Sequence, residues 1–509
     1  MQDHKIQLSE FEQTERDIRI AKIEQLRQAG VHPYPERYDV TCQIGEIPIQ
    51  SDLPNSETVN PRKDKQLRIA GRIVFWRSHG KLVFAHLQDI TGRFQVAFMA
   101  NHLDKQQFQL LEQLDLGDFI GVEGHLFATK KGEPTLLVTN WTFLGKALRP
   151  LPEKWHGLED LEVRQRQRYL DLIANADSRA RFLFRSQFMK TLREFYWQEG
   201  FIEVETPVLL HQATGANAKP YITHNNALDI DVVLRISHEL PLKELIVGGF
   251  TKIFELGKAF RNEGHDPSHL PEHTHLEHYA AYWNFEDNIK FTEQMFDYLF
   301  MKLGLPKKLK IKSKDNVEQE IDFNTPWPRV DFVELVSKDS GLDILSYTGA
   351  EELRGDLRKK KIDIDGMDTM SLATLVDNVY KKVSRPKIIN PTILYHYPKA
   401  SQPLARVNDH DNRLVDQFQL VVNGWEIVKA YSELVDPLDQ RQRFAEQIKA
   451  KQAGDEEAME TDEEYLSAME YGLPPISGWG MGVERVMALL TGQENLREVV
   501  LFPLLKPKD

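Results

Sequence analysis

Apolar and polar positions in this chain follow two different periods. Between Leu67 and Leu148 short runs alternate, which predicts strands at 67–77, 81–89, 93–100, 118–129 and 134–146 and one short helix at 104–114. Alternation sends Val83, Ala85 and Leu87 inward, together with Phe94, Val96 and Phe98. It leaves Phe84, His86, Arg93 and Gln95 on the opposite face, with Arg77 close by. Helical spacing appears elsewhere. Ser9 and Glu12 have capping-box spacing and open a helix that turns Ile20, Ile23 and Leu26 inward and stops at Gly30 and Pro33. From Asp177 to Gly200 an amphipathic helix aligns Phe184, Phe188, Leu192 and Phe195, and a strand ending at Pro207 follows directly. Strand and turn signals dominate to Phe285, a helix-rich insertion occupies about 330–400, and strands resume near Phe418. Ser51 to Lys65 reads as a loop, the acidic run Asp455 to Glu464 as a solvated helix or loop, and Lys146 to Pro152 as a proline-broken hinge.

Five strands with a helix after the third is the order of an OB-fold barrel. Its outward Phe84, beside hydrogen-bonding side chains, is equipment for stacking on and reading an unpaired base, with Lys130, Lys131 and Glu133 within reach of a backbone and a base edge. The 509 residues suit two to four domains, and a net charge of −13 means that any nucleic acid is held by local basic patches. Cys42 is the sole cysteine, which excludes a disulfide framework and a multi-cysteine zinc site and fits a reducing cytoplasm. Met1 to Glu10 has no apolar core of a signal peptide, and no run approaches membrane-spanning length. The expectation is a cytoplasmic protein with no membrane or DNA partner.

Two distant stretches carry chemistry. Phe260-Arg261-Asn262-Glu263-Gly264 follows a strand-like run from Lys252, and Gly478-Trp479-Gly480-Met481-Gly482-Val483-Glu484-Arg485 leads into the apolar helix pattern Val486 to Leu490. Each sets an arginine beside a turn that a phosphate can approach, and two converging guanidinium forks suit nucleotidyl transfer. After a polar loop from Asn262 to His273, the return strand places His275, Glu277 and Tyr279 on one face. The histidines His265, His269, His273, His275 and His278 are irregularly spaced, and no zinc site is expected of them. The segment Trp425 to Leu434 carries Glu426 and Glu433, enough carboxylate for magnesium. Glu239, Glu277 and Glu433, with the Tyr279 hydroxyl, make an acidic pocket fit for a substrate ammonium.

In this order, Phe201–Pro207, Phe260–Gly264 and Gly478–Arg485 resemble motifs 1, 2 and 3 of class II aminoacyl-tRNA synthetases. The barrel, the hinge and the run Arg164–Leu172 look like the subgroup handling lysine, aspartate and asparagine. The resemblance implies an α+β chain: helix and OB-fold anticodon-binding domain at 1–148, hinge at 149–176, and at 177–509 a catalytic domain on an antiparallel sheet flanked by helices. It implies lysine–tRNA ligase activity with ATP, Mg2+ and tRNA(Lys), and a homodimer built on helix 177–199 and the motif 1 strand. Anticodon contacts fall on Arg77, Phe84, Gln95 and Glu133. ATP contacts fall on Arg261, Glu263, His269, His273, Gly480, Gly482 and Arg485, with Arg261 and Arg485 catalytic. Lysine contacts fall on Gly215, Glu239, Glu277, Tyr279, Lys429 and Glu433, and metal contacts on Glu426, Glu433 and Gln419. Four positions depart from the family pattern: His273 stands for phenylalanine, Leu270 and Lys429 for asparagine, and Gln419 for an acid. An aspartyl or asparaginyl ligase shares this architecture, but its pocket would carry basic residues. A catalytically impaired RNA-binding paralogue is favoured by the four departures and opposed by the retained arginines and glutamates.

Overall fold

The computed structural model describes residues 10–49, 52–55, 65–151, 158–216, 218–262, 264, 266–312, 318–452 and 461–507. Ser9, Glu263, His265, most of the loop expected at 51–65 and the acidic residues 455–460 lie outside them. The chain forms two compact units: Met1–Arg164 with Tyr169–Arg179, and Gln165–Arg168 with Ala180–Asp509.

In the first unit, the strands Leu67–His79, Leu82–Gln88, Arg93–Met99, Phe119–Ala128 and Pro134–Gly145 close into a barrel. Each expected strand is present within two residues of its bounds. The expected helix at 104–114 is shorter, Lys105–Leu110, because Asp104 caps its start and the last turn tightens to a 3-10 helix at Leu111–Gln113. Val83, Ala85, Leu87, Phe94, Val96 and Phe98 fill the barrel interior, as alternation required. The helix Glu10–Gln28 buries Ile23 and Leu26 but leaves Ile20 half-buried. One feature was not legible: the pairing of Leu67–His79 slips between Ile73 and Phe75. This bulge reverses the alternation, so Val74 is buried while Phe75 and Arg77 face out. Two short helices, Leu161–Arg166 and Arg168–Ala174, occupy the later part of the stretch read as a hinge.

The second unit is built on an eight-stranded sheet. Its order is Arg329–Asp331, Thr392–Pro398, Leu414–Val422, Trp425–Ser432, Ile476–Gly482, Glu272–Ala281, Lys252–Phe260, Ile202–Glu203. All pairings are antiparallel except at the two edges, where 329–331 and 202–203 join in parallel. One face is apolar. Leu276, Ala280, Phe418, Leu420, Val428, Ala430, Trp479 and Met481 pack there against helix Phe285–Leu303 and residues 180–198 of helix Ala176–Gln198. Phe188, Leu192 and Phe195 are buried in that contact, and Phe184 is partly so. Helix Phe285–Leu303 starts where Asn284 and Asp287 cap each other and stops at Gly304, whose φ of 64° ends it. The expected insertion contains helices Phe332–Ser340, Ala350–Lys359 and Leu372–Val383, whose apolar faces form a core with Leu394, Tyr397, Val415 and Val421. The loop expected at 262–273 ends earlier, since the return strand begins at Glu272 and includes His273.

Candidate active site

The other face of this sheet is polar and lines a cavity of about 1090 Å³. Cross-strand register builds it row by row. In one row, Tyr431, Gly478 and Tyr279 are direct neighbours; in the next, Gln419, Lys429, Gly480 and Glu277; in a third, Gly482 and His275. The central strand thus offers glycine in every row. A Cβ at Gly478 would run into the Glu433 carboxylate and the Tyr279 ring, and one at Gly480 would meet His275 Nε2 at 3.1 Å. Gly482 faces open space. These glycines leave a trough between two walls of functional side chains.

At one end lie the carboxylates. Glu239, in the first turn of helix Glu239–Val247, accepts from the Tyr431 hydroxyl at 2.6 Å and from Lys243 at 2.7 Å. Gly215, at φ +83°, sits so close that a Cβ there would be 2.9 Å from Glu239 Cβ. Glu433 is ion-paired with Lys243 as well. Lys243 is wholly buried, with the rings of Tyr279, Tyr431 and Tyr465 within 6 Å of its ammonium. Burial pulls its pKa down, but Glu239 and Glu433 overcome this and hold it above the usual lysine range. Burial and the neighbouring Glu239 push Glu433 well above the carboxylate range, against the pull of Lys243. Glu277 behaves oppositely. Burial would raise it, yet His275, at 2.9 Å, and His238 hold it well below the usual range, and it also accepts from the Ser237 hydroxyl and the His238 amide.

At the other end lie the cations. Arg261 begins the loop after strand Lys252–Phe260, and its Nε donates to Ile236 O at 3.4 Å. Arg485, in the first turn of helix Val483–Leu490, donates to Glu426 O at 2.8 Å. Both line the cavity with Lys429, Glu426, His273 and His269. Lys429 faces the cavity yet is enclosed by protein, and this enclosure lowers its pKa. His273 is also lowered, first by burial and then by Arg261, so its imidazole stays neutral. His269 is exposed and hydrogen-bonds Asp266 at 2.8 Å, whereas Leu270 is buried at the edge of the core, where it also lines the cavity. His278 is in the core too, between Tyr196 and Asn288. His238, His275 and Glu277 bring donor atoms within 4.8 Å of one another, but Glu277 Oε1 is already taken by the Ser237 hydroxyl and by the amide and ring of His238.

The residues expected to hold a metal do not form a set. Glu433 is sequestered with Lys243 among the tyrosines. Gln419 is neutral, and its Oε1 accepts the Tyr397 hydroxyl at 2.9 Å. Of these three, Glu426 alone offers a carboxylate to the trough, and its Oε1 lies 3.3 Å from Arg385 Nη1. Glu426 reaches this face because pairing slips between Leu420 and Val421, leaving Ile427 without a partner and restoring Glu426 to the side of Lys429.

In the barrel, Arg77 is the cross-strand partner of Phe84, and His86 of Gln95. Gln95 Nε2 donates to Thr135 Oγ1 at 2.8 Å, while Glu133 is exposed at the start of the following strand. Phe84 is half-buried against Phe127 and Leu137. Phe75 lies 5.0 Å from His86, ring centre to ring centre, a second aromatic on this face that alternation had hidden. Lys243 was missed as well, although its i,i+4 spacing from Glu239 on one helix is the signal that finds it.

Comparison with known proteins agrees with both halves of this picture. A model described as "tRNA synthetases class II (D, K and N)" matches residues 160–506, and an "OB-fold nucleic acid binding domain" matches residues 67–144. A lysine–tRNA ligase of Aquifex aeolicus is 46% identical over 87% of this chain and 74% of its own length. Those of Carboxydothermus hydrogenoformans and Dehalococcoides mccartyi are 41% and 42% identical, covering 97% and 96% of this chain and 98% and 97% of their own. With its trough, its paired arginines and a match of this extent, the chain belongs to the class II tRNA synthetases of the D, K and N group.

Proposed function

We propose that this chain is a lysine–tRNA ligase, which activates lysine with ATP and passes the lysyl group to the 3′-terminal ribose of tRNA(Lys). The observation that carries the reading is one cavity lined by the carboxylates of Glu239 and Glu277 at one end, with Glu433 buried beside them on Lys243, and by two arginines at the other. Glu239 and Glu433 share the one buried ammonium of Lys243, and Glu277 is held ionised close by, which makes an acidic pocket for the ammonium groups of lysine. Glu239, with the backbone at Gly215, takes the α-amino group; Glu433 and Tyr279 take the ε-ammonium. Basic side chains are what an aspartate pocket would need there.

A lysine carboxylate oxygen forms a bond to the α-phosphorus of ATP as the bond to pyrophosphate breaks. No side-chain base is required, because the nucleophile is already an anion. Arg261 and Arg485 act on the charge that spreads over the phosphoryl oxygens. Neutral His273 offers a flat ring for adenine, and magnesium enters as part of the MgATP substrate. In the second step a ribose hydroxyl attacks the lysyl carbonyl and AMP leaves. Arg77, Phe84, Gln95 and Glu133 read the anticodon in the barrel. Trp197 and Phe502 leave apolar surface in water along a groove on the 180–198 helix, and a second copy of the chain covers that face in a homodimer. The protein works in the cytoplasm, where its substrates are.

Amino-acid-dependent ATP–pyrophosphate exchange tests this. Lysine alone of the twenty should support exchange, and Arg261→Ala should abolish it. Exchange driven by aspartate or asparagine, or unaltered in Arg261→Ala, would overturn the reading.

A further inference from the structure

The phosphate end of the trough is rich in fixed cations and poor in free carboxylate. Arg261, Arg485 and Lys429 all face it. The acids around it are engaged: Glu426 with Arg385 at 3.3 Å, Asp377 with Lys381 at 2.6 Å, and Glu484 with Arg185 at 2.7 Å. A divalent magnesium ion takes oxygen ligands in near-octahedral geometry and keeps a site only where one or two carboxylates meet phosphate oxygens. Here the one carboxylate is in an ion pair, and the nearby amide oxygen of Gln419 is taken by Tyr397.

What stands in that place is an ammonium. Lys429 is directly cross-strand from Gln419 on one side and from Gly480 on the other. Because Gly480 has no side chain, nothing on the central strand separates the Lys429 ammonium from the trough. Because Gln419 is neutral, no carboxylate on the flanking strand neutralises it at that position. The lysine side chain therefore reaches into the trough that runs from the carboxylate pocket to the two arginines.

We propose that Lys429 supplies the positive charge that an enzyme-held divalent cation would supply beside the nucleotide phosphates. The chain then binds ATP with no metal ion beyond the one the nucleotide carries. This rests on the reading of the trough as an ATP site, but not on lysine being the amino acid activated.

Calorimetric titration with ATP tests it, once in EDTA and once in excess magnesium. The wild-type dissociation constants should agree within about threefold. In the double variant Lys429→Asn, Gln419→Glu, metal-free ATP should bind at least about tenfold more weakly, and magnesium should restore binding. Lys429→Arg, which keeps the charge, should behave as wild type. Electron paramagnetic resonance with Mn2+ gives an independent count: one ion per bound nucleotide in the wild type, and a second in the double variant. Wild-type binding that weakens about tenfold or more in EDTA, or two Mn2+ ions per nucleotide in the wild type, would overturn the proposal. Failure of lysine-dependent exchange alongside metal-independent ATP binding would instead sink only the choice of amino acid.

Discussion

At the scale of single residues, the trough depends on what is missing as much as on what is present. Gly478 is the sharpest case, because a methyl group there must displace Glu433 or the Tyr279 ring. Gly478→Ala should raise the KM for lysine in pyrophosphate exchange by about tenfold or more, a loss of roughly 1.4 kcal/mol of binding, and leave the KM for ATP nearly unchanged. An equal rise in both would mean that the whole sheet had shifted. His278 makes a different statement, about stability. Its imidazole is buried between Tyr196 and Asn288, and burial lowers its pKa from 6.5 to about 3. A histidine depressed in the folded state contributes fully above pH 6.5, and that contribution is lost as pH falls toward 3, because the unfolded chain takes up the proton first. This one group should account for as much as about 5 kcal/mol of acid destabilisation over that window. Nitrogen-15 spectra of the ring should find it neutral in the folded protein at pH 5, and a ring that titrates near pH 6.5 would refute the assignment.

Elements bring such residues together through register. Residues far apart in the chain, such as Glu277, Lys429 and Gly480, share one row only because their strands pair in one particular alignment, and a slip of one position would send all of them into the opposite face. Helix Glu239–Val247 holds the pocket's acid at its N-terminal end, where the helix dipole favours a carboxylate. Further along, Glu244 is less comfortable. Burial, Asp462 and Glu464 raise its pKa from 4.5 to about 7. A carboxyl raised in the folded state is no burden below pH 4.5, and its cost appears as pH climbs toward 7 and is complete above it. Glu244→Gln should therefore raise the melting temperature at pH 8 and change it little at pH 4.5. Because the side chain is only half-buried, the gain is about 1 kcal/mol or less. A gain that is the same at both pH values would show that charge is not the cause.

The whole molecule adds what neither scale contains. The 180–198 helix leaves Trp197 and Leu183 in water, and Trp197 shares a groove with Phe502 from the C-terminal segment. Apolar surface gathered in this way is usually covered by a partner. Trp197→Glu should shift sedimentation from dimer to monomer at micromolar concentration while circular dichroism stays unchanged. A wild-type chain that already sediments as a monomer would contradict the dimer.

Several features were legible without a structure, for identifiable reasons. Period-two alternation is a local property, so the five barrel strands and their inward residues could be read directly, as could the Phe188–Phe195 stripe from the helical period. Arginines beside glycine-spaced turns could be found because each motif is contiguous in sequence. Other features had no local signal. The two bulges, near Val74 and at Ile427, each reverse an alternation that the residues alone would continue, and so decide that Arg77 faces outward and Glu426 joins the trough. The capture of Glu433 by Lys243, and the placing of Gln419 opposite Lys429, unite positions as much as 190 residues apart. Local sequence determined which groups this protein has and which face of a strand or helix most of them prefer. Only the tertiary structure decided which of them meet, because cross-strand register is set by the packing of the entire sheet and not by the neighbours of any one residue.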